Sequence, residues 1–369
     1  MALKCGIVGL PNVGKSTIFN ALTAAGAAMA NYPFCTIEPN VGVVAVPDRR
    51  LEALTALIKP KATLPTTMEF VDIAGLVKGA SRGEGLGNQF LGHIRQVDAV
   101  AHVVRCFEDP DITHVHDRVD PASDIQIIET ELMLADLEAV RRRLDNVGKK
   151  ARSGEKEALL LTAVCEKVAV GLDAGVPVRR QGLSPEESAA ARELFLLTAK
   201  PVLYVCNVAE TEVASAQEPG GHPLVDAVRT LAAAEGSGVV VVCGAIEAEI
   251  AELQEQEKQA FLEDLGLAEP GLHRLIASAY TLLGLITYFT AGPKEVRAWT
   301  VHRGDSAYDA AGVIHTDFQK GFIRAEVIAY ADMIACGGEQ GAREKGRLRL
   351  EGRDYQVVDG DVMHFRFNV

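Results

Sequence analysis

Short apolar runs alternate with helical patterns through the first half of the chain and again after Lys200. The candidate strands are the largely apolar runs Leu3–Gly9, Val41–Val46, Met68–Ile73, Ala99–Cys106, Val202–Asn207 and Val239–Cys243. Strands of that kind, buried on both faces and separated by helices, predict a mostly parallel sheet in an α/β fold. From about Ile127 to Thr198 the alternation stops. Ile128, Leu132, Ala135, Leu137, Val140, Leu144 and Val147 recur at three- and four-residue steps, which predicts an amphipathic helix of more than about 20 residues. A Gly/Lys/Ser break from Gly148 to Gly154 precedes a second apolar helix that runs to about Leu172. Ser184-Pro185-Glu186-Glu187 then has the order of a capping box, with Ser at the N-cap, Pro first in the helix and Glu third. From about Ala291 the pattern becomes short alternating strands with turn residues: Arg297–His302, Gly321–Ile328, Arg347–Leu350, Tyr355–Val358 and Val362–Phe367. The organisation predicted is an α/β domain in two parts, 1–126 and 199–282, a helical insertion at 127–198, and a small mixed domain at 283–369.

Composition changes this picture little. The 369 residues are 48% apolar and 24% charged, ordinary for a folded globular chain of two or three domains. Net charge is −13, and between 291 and 369 there are 11 Lys and Arg against 12 Asp and Glu, so most of the negative excess lies upstream. A nearly neutral C-terminal region can still present a local basic face. The seven cysteines are scattered, with no CxxC pair and no metal-ligand spacing. The first residues read as a strand entering a glycine loop rather than a secretory leader, and no stretch has the length of a membrane span. A reducing, cytoplasmic setting is expected. Arg141–Arg143 and Arg179-Arg180 on the helical insertion read first as a solvated helix face, and second as a contact for nucleic acid or the ribosome.

The chemistry begins at Gly9-Leu10-Pro11-Asn12-Val13-Gly14-Lys15-Ser16, a full match to GxxxxGK[ST] placed after an apolar strand and before a helix opening at Thr17. Glycines let backbone N–H groups turn inward around phosphates, and the helix N-terminus adds its positive dipole end. Lys15 is expected on the β- and γ-phosphates, and the Ser16 hydroxyl on Mg²⁺. Asp72-Ile73-Ala74-Gly75 ends a neighbouring strand as DxxG, which assigns Asp72 to Mg²⁺ and the Gly75 N–H to the γ-phosphate. Thr36, between the two elements, is the candidate for a second hydroxyl on the metal. Leu76 stands where Ras-like enzymes place the glutamine that orients water, so hydrolysis uses another group or is slow. His93 and Asn88, in the glycine-rich stretch that follows, are candidates for that polar group.

The base is read at Asn207-Val208-Ala209-Glu210, where guanine-binding enzymes carry NKxD. Val replaces the Lys, and the longer Glu210 replaces the Asp that accepts from guanine N1 and N2. Asn207 still suits N7 and N6, and backbone at Val208 suits the N6 amine, so ATP is expected over GTP.

With these motifs in hand, the chain resembles the YchF subfamily of Obg-related P-loop proteins, the Obg-like ATPases. The likeness runs through Gly9–Thr17, Asn31–Ile37, Asp72–Gly79, Asn207–Glu210, Ile246–Ile250, Ala311–Phe318, Gly321–Val327 and the ending Asp359–Val369. It implies an ATP-binding P-loop NTPase domain, a helical coiled-coil-like insertion and a C-terminal β-grasp TGS domain. It also implies slow Mg²⁺-dependent ATP hydrolysis, binding to the ribosome and its large subunit through the TGS and helical domains, and a role in translation or stress response. A monomer is expected. Asn12, Val13, Gly14, Lys15, Ser16 and Thr17, the metal ligands Ser16 and Thr36, and the base contact at Val208 carry over to matching positions. One departure is Cys243-Gly244-Ala245, where the subfamily has Ser-Ala-Lys beside the base. The subfamily's redox regulation would fall most directly on Cys35, beside Thr36. Two rivals stand beside the ATPase: an Obg-like GTPase, and a ribosome-associated regulator for which hydrolysis is incidental. Arg303, Lys320, Arg324, Arg347, Arg349, Arg353 and Arg366 are the C-terminal candidates for RNA or ribosome contact.

Overall fold

The computed structural model describes residues 3–27, 40–73, 86–110, 118–151 and 155–368. Its strands in chain order are β1 (Lys4–Val8), β2 (Val41–Ala45), β3 (Ala62–Leu64), β4 (Thr67–Asp72), β5 (Ala99–Arg105), β6 (Val202–Asn207), β7 (Gly238–Val242), β8 (Leu285–Ala291), β9 (Glu295–His302), β10 (Phe322–Ala329), β11 (Arg349–Glu351) and β12 (Asp361–Phe367). They form two six-stranded sheets in two compact units, 1–44 with 69–279, and 45–68 with 280–369.

In the first unit the sheet order is β2-β4-β1-β5-β6-β7. β1 runs parallel to β4 and to β5, and β5–β6 and β6–β7 are parallel as well. β5 and β6 are buried at every position, as their unbroken apolar runs require. Ligands of open parallel sheets sit outside the carboxyl ends of the strands, so the loops after β1, β4, β5 and β6 define where chemistry belongs.

The insertion is two helices, Pro121–Ala151 and Lys156–Asp173, packed on a core of their own that includes Leu137, Val140, Val164, Val168 and Leu172. Asp136 ties the first of them to the following chain: its carboxylate accepts from Leu197 N, Thr198 N and Thr198 Oγ1 at 2.7–2.8 Å. Burial raises its pKa, opposed by those three donors. The capping box at Ser184 forms as the sequence predicts, with Glu187 N on Ser184 Oγ and Ser184 N on Glu187 Oε2. The arginine run is neutralised in place. Arg141 meets Asp173, Arg142 meets Glu138 and Arg143 meets Glu193. Arg179 is largely buried between Glu129 and Glu235, and the Tyr204 hydroxyl joins Glu235 at 2.5 Å. Among the described residues no helix is long and apolar enough to cross a membrane.

The second unit has the sheet order β11-β10-β12-β8-β9-β3. Helix Ala307–Ile314 covers one face over Tyr288, Ala325, Val327 and Phe365, the helix-on-mixed-sheet arrangement of a β-grasp. The other face buries Phe289, Val296, Ile328 and Met333 with Leu51 and Leu54 of helix Arg49–Ile58. This corrects the expected boundaries. Residues 45–68 fold with the C-terminal unit, because β3 pairs in parallel with β9 and helix Arg49–Ile58 finishes that core. Two further differences concern strands. β8 lies ahead of the first expected C-terminal strand, and Tyr355–Val358 contributes only an isolated bridge, Gln356 to Ser306.

Candidate functional site

The loop after β1 is shaped by two glycines and one asparagine. A Cβ on Gly9 would lie 2.7 Å from the carbonyl oxygen of Val103 on β5, so no other residue lets β1 and β5 approach here. Asn12 (φ 63°) and Gly14 (φ 88°) both turn through the left-handed region, and a Cβ on Gly14 would meet Asn207 Nδ2 at 2.2 Å. The chain then enters helix Lys15–Ala27, whose first ladder bond is Ile18 N to Gly14 O at 3.0 Å. The N–H groups ahead of Ile18 have no helical partner, and no acidic side chain stands in the first turn. Such a helix start is built to take an anion.

Asn207, at the end of β6, is a strut across this loop. Its Nδ2 donates to Val13 O and its Oδ1 accepts from Gly244 N, both at 2.9 Å, in a setting only 5% exposed. The expectation that Asn207 reads both N7 and N6 is therefore narrowed. Its oxygen is engaged, and the second amide hydrogen is what remains for N7. Val208 is buried and gives its N–H to Val242 O. Its carbonyl takes no hydrogen bond among the described residues. Glu210 is exposed at the start of a short 3₁₀ turn.

These elements enclose a cavity of about 820 Å³. One wall is Leu10–Asn12 with Gly14–Thr17, a second is Asn207–Glu210, and a third is Cys243–Ala245. The fourth, Phe107–Asp109 after β5, is absent from the sequence reading. Nothing local in the sequence marks it: β5 neighbours β1 only in the folded sheet, and that order makes the loop at its carboxyl end border the ligand. Buried Arg105 shapes that loop, donating to Phe107 O at 3.1 Å and Asp109 O at 3.3 Å with its guanidinium 4.6 Å from the Phe107 ring centre. Burial raises the pKa of Cys243, against backbone donors from Ile246 and Ala245, so its thiol is protonated near neutral pH.

At the phosphate end Lys15 Nζ lies 3.6 Å from Asp72 Oδ1, both groups mostly buried. That oxygen has no hydrogen-bond partner. Asp72 does not line the cavity itself, but its orphaned carboxylate oxygen stands beside Lys15, which does, as does Ser16 with its hydroxyl in the first helical turn. The pair fits a hard cation, which binds through one or two protein oxygens and completes its shell with phosphate and water. Among the described residues no group of three His, Cys, Asp or Glu side chains can hold a metal alone. His93 is exposed on the last turn of helix Leu86–Arg95 and does not line the cavity. Thr36, Gly75, Leu76 and Cys35 lie outside the described residues, as does the side chain of Asn88.

The chain is similar to known proteins. A family model described as a 50S ribosome-binding GTPase matches residues 4–137. A second, YchF-GTPase_C, described as a protein of unknown function, matches residues 285–368. The chain is 57% identical to the ribosome-binding ATPase YchF of Bacillus subtilis and 59% identical to that of Haemophilus influenzae, over 369 residues and the whole of both chains. The solved structure of the Schizosaccharomyces pombe YchF GTPase matches with a TM-score of 0.86 at 38% identity, covering 99% of this chain and 97% of that one.

Proposed function

This chain belongs to the YchF family, and from that footing we propose that it is a P-loop ATPase that binds Mg-ATP, hydrolyses it slowly and associates with the ribosome as a nucleotide-gated switch. In this reading it works in the cytoplasm as a monomer and meets the ribosome, its large subunit included, through the C-terminal and helical domains.

The free N–H groups of Gly14–Thr17 hold the phosphates, and Lys15 exchanges Asp72 for the β- and γ-oxygens. Ser16 and Asp72, with Thr36, would hold Mg²⁺, which supplies neutralisation of charge on the transferring phosphoryl group. The Gly75 N–H would meet the γ-phosphate. His93 draws no support from its exposed position, and with Leu76 in the glutamine's place no group among the described residues is assigned to orient water, Asn88 remaining the other candidate. A slow intrinsic rate follows.

The choice of base rests on one observation: the cavity wall Asn207–Glu210 offers no guanine reader in the usual place. Asn207 Oδ1 is committed to Gly244 N, and the unused carbonyl of Val208 suits the amine of adenine and opposes the O6 acceptor of guanine. The S. pombe relative is called a GTPase and the bacterial relatives ATPases, so the competing reading is specific. Calorimetric titration with ATP and GTP in millimolar Mg²⁺ decides between them. ATP is expected to bind at least about tenfold tighter, roughly 1.4 kcal/mol, and a preference for GTP refutes the assignment. Sedimentation with ribosomes tests the switch: Lys15→Ala should abolish any dependence of association on ATP. If wild type and variant sediment alike with and without ATP, the protein is a ribosome-bound regulator for which hydrolysis is incidental.

A further inference from the structure

Seven basic residues of the C-terminal unit were candidates for RNA contact on charge alone, and the structure separates them. Strands β10 and β12 are antiparallel, with Arg324 opposite Arg366 and Glu326 opposite His364. Alternation places these four side chains on one face of the sheet. Glu326 is the only one of them that is buried, 7% exposed, and the guanidiniums gather around it. Arg366 makes a two-pronged pair through Nε and a terminal nitrogen, both at 3.1 Å. Arg343, from helix Glu339–Glu344, stands 3.7 Å away, and Arg324 stands 3.9 Å away. Among the described residues the one other carboxylate paired with the trio is Glu339, on Arg343. Three guanidiniums therefore share two carboxylates: Arg366 is bonded to Glu326, Arg343 gives one terminal nitrogen to Glu339 at 2.9 Å, and Arg324 is too far from Glu326 to spend its donors there. Arg347 and Arg349, by contrast, are balanced by Asp332, Glu351 and Asp361.

We propose that Arg324, Arg343 and Arg366, gathered by Glu326, form a site for the phosphodiester backbone of ribosomal RNA. The inference rests on the ribosome-binding reading and names the chemistry of one contact within it. A guanidinium presents a planar fork that matches phosphate oxygens, and convergence of three around a fixed carboxylate pre-arranges those forks. Each arginine is about half exposed (45–57%), so the donors face solvent while the stems are held. RNA is the partner because the surplus is positive and its donors are forked, and phosphodiester is the anion a ribosome displays most densely.

The test measures association with purified large ribosomal subunits and with protein-free ribosomal RNA across a salt series. For the double variant Arg324→Ala/Arg343→Ala, the slope of log K against log salt is expected to become shallower by about 1.5 on both targets, as two phosphate contacts are lost. ATPase activity should be unchanged, because neither residue borders the nucleotide cavity. Glu326→Gln separates positioning from bulk charge: it makes the face more positive, yet binding should weaken because the Arg366 fork loses its charged anchor and Arg324 and Arg343 lose the charge that draws them toward it. An unchanged slope in the double variant on RNA overturns the proposal, as does tighter RNA binding by Glu326→Gln. If subunits bind and the slope changes only there, the contact is with ribosomal protein and the RNA assignment falls. If RNA shows the slope change while intact subunits do not bind at all, the site stands and the ribosome reading falls.

Discussion

Replacing Asn207 by alanine separates a strut from a base reader. The side chain holds two backbone groups 194 and 37 residues away, Val13 O and Gly244 N, each at 2.9 Å. Val13 is 1% exposed and off the cavity, so its carbonyl is left without a partner, while the buried Gly244 borders the cavity and can regain water only from there. A net hydrogen bond contributes about 0.5–1.5 kcal/mol, and an orphaned buried group costs about 1–3 kcal/mol. With partial relaxation of the phosphate loop, Asn207→Ala should lose about 2–4 kcal/mol in the absence of nucleotide. Urea unfolding of the ligand-free protein measures the total, and amide hydrogen exchange at Gly244 reads the local loss, which should be of the same order. ATP binding should weaken as well, because the loop that presents Gly14–Thr17 has lost its brace. A side chain whose only task was to meet the adenine would leave the empty protein alone. If ligand-free stability moves by less than about 0.5 kcal/mol and Gly244 exchanges as in wild type, the strut argument is wrong.

Other perturbations follow from buried charge. His102 on β5 is 3% exposed, and burial, with Arg179 adding to it, pushes its pKa down to about 3. It is neutral when folded and takes a proton when unfolded, so its contribution is complete above the unfolded value of about 6.5 and is lost as pH falls toward 3. His102→Phe should reduce the loss of stability between pH 7 and pH 5 by about 2 kcal/mol, read from urea midpoints at the two pH values. Arg179→Met should cost about 3–5 kcal/mol by stranding Glu235, whose side chain is 1% exposed, and Glu129. The further change Glu235→Gln should restore part of that loss in the same assay. Asp72→Asn removes a mostly buried carboxylate whose Oδ1 has no hydrogen-bond partner and stands 3.6 Å from Lys15, so the desolvation relieved offsets the pair lost and ligand-free stability should change by less than about 2 kcal/mol. The rise in melting temperature produced by Mg-ATP should shrink, while that produced by ATP with a chelator should not.

Much of the fold was legible because it is local. The α/β strands are short, largely apolar runs, and the expected spans match the observed ones within a residue or two. The Ser184 cap needs only four adjacent residues. What escaped depends on partners distant in sequence. Helix Arg49–Ile58 has a clear N-cap in Asp48, yet nothing nearby says that Leu51 and Leu54 complete a core with Phe289 and Val296. β8 follows helix Gly271–Leu282 after a single turn at Gly284 (φ 68°), so its apolar run continues the helix's own and hides the change of period. The site divides in the same way. Residues 9–17 are readable because a phosphate loop is a backbone device written in consecutive residues. The commitment of Asn207 Oδ1 and the wall Phe107–Asp109 are products of strand order.

Charge shows why a run in sequence is a poor guide to a surface. Arg141–Arg143 look like the stronger nucleic-acid patch, three consecutive arginines on one helix, yet each has its own carboxylate. Arg324, Arg343 and Arg366 are spread over 43 residues of a nearly neutral unit and look unremarkable until cross-strand register draws them around Glu326. A net charge of −13 bears on neither case, since it sums charges that never meet. What decides is how many guanidiniums share each carboxylate. By that measure the helical insertion has spent this run of arginines on its own architecture, and the C-terminal sheet has kept some in hand for an anion from outside.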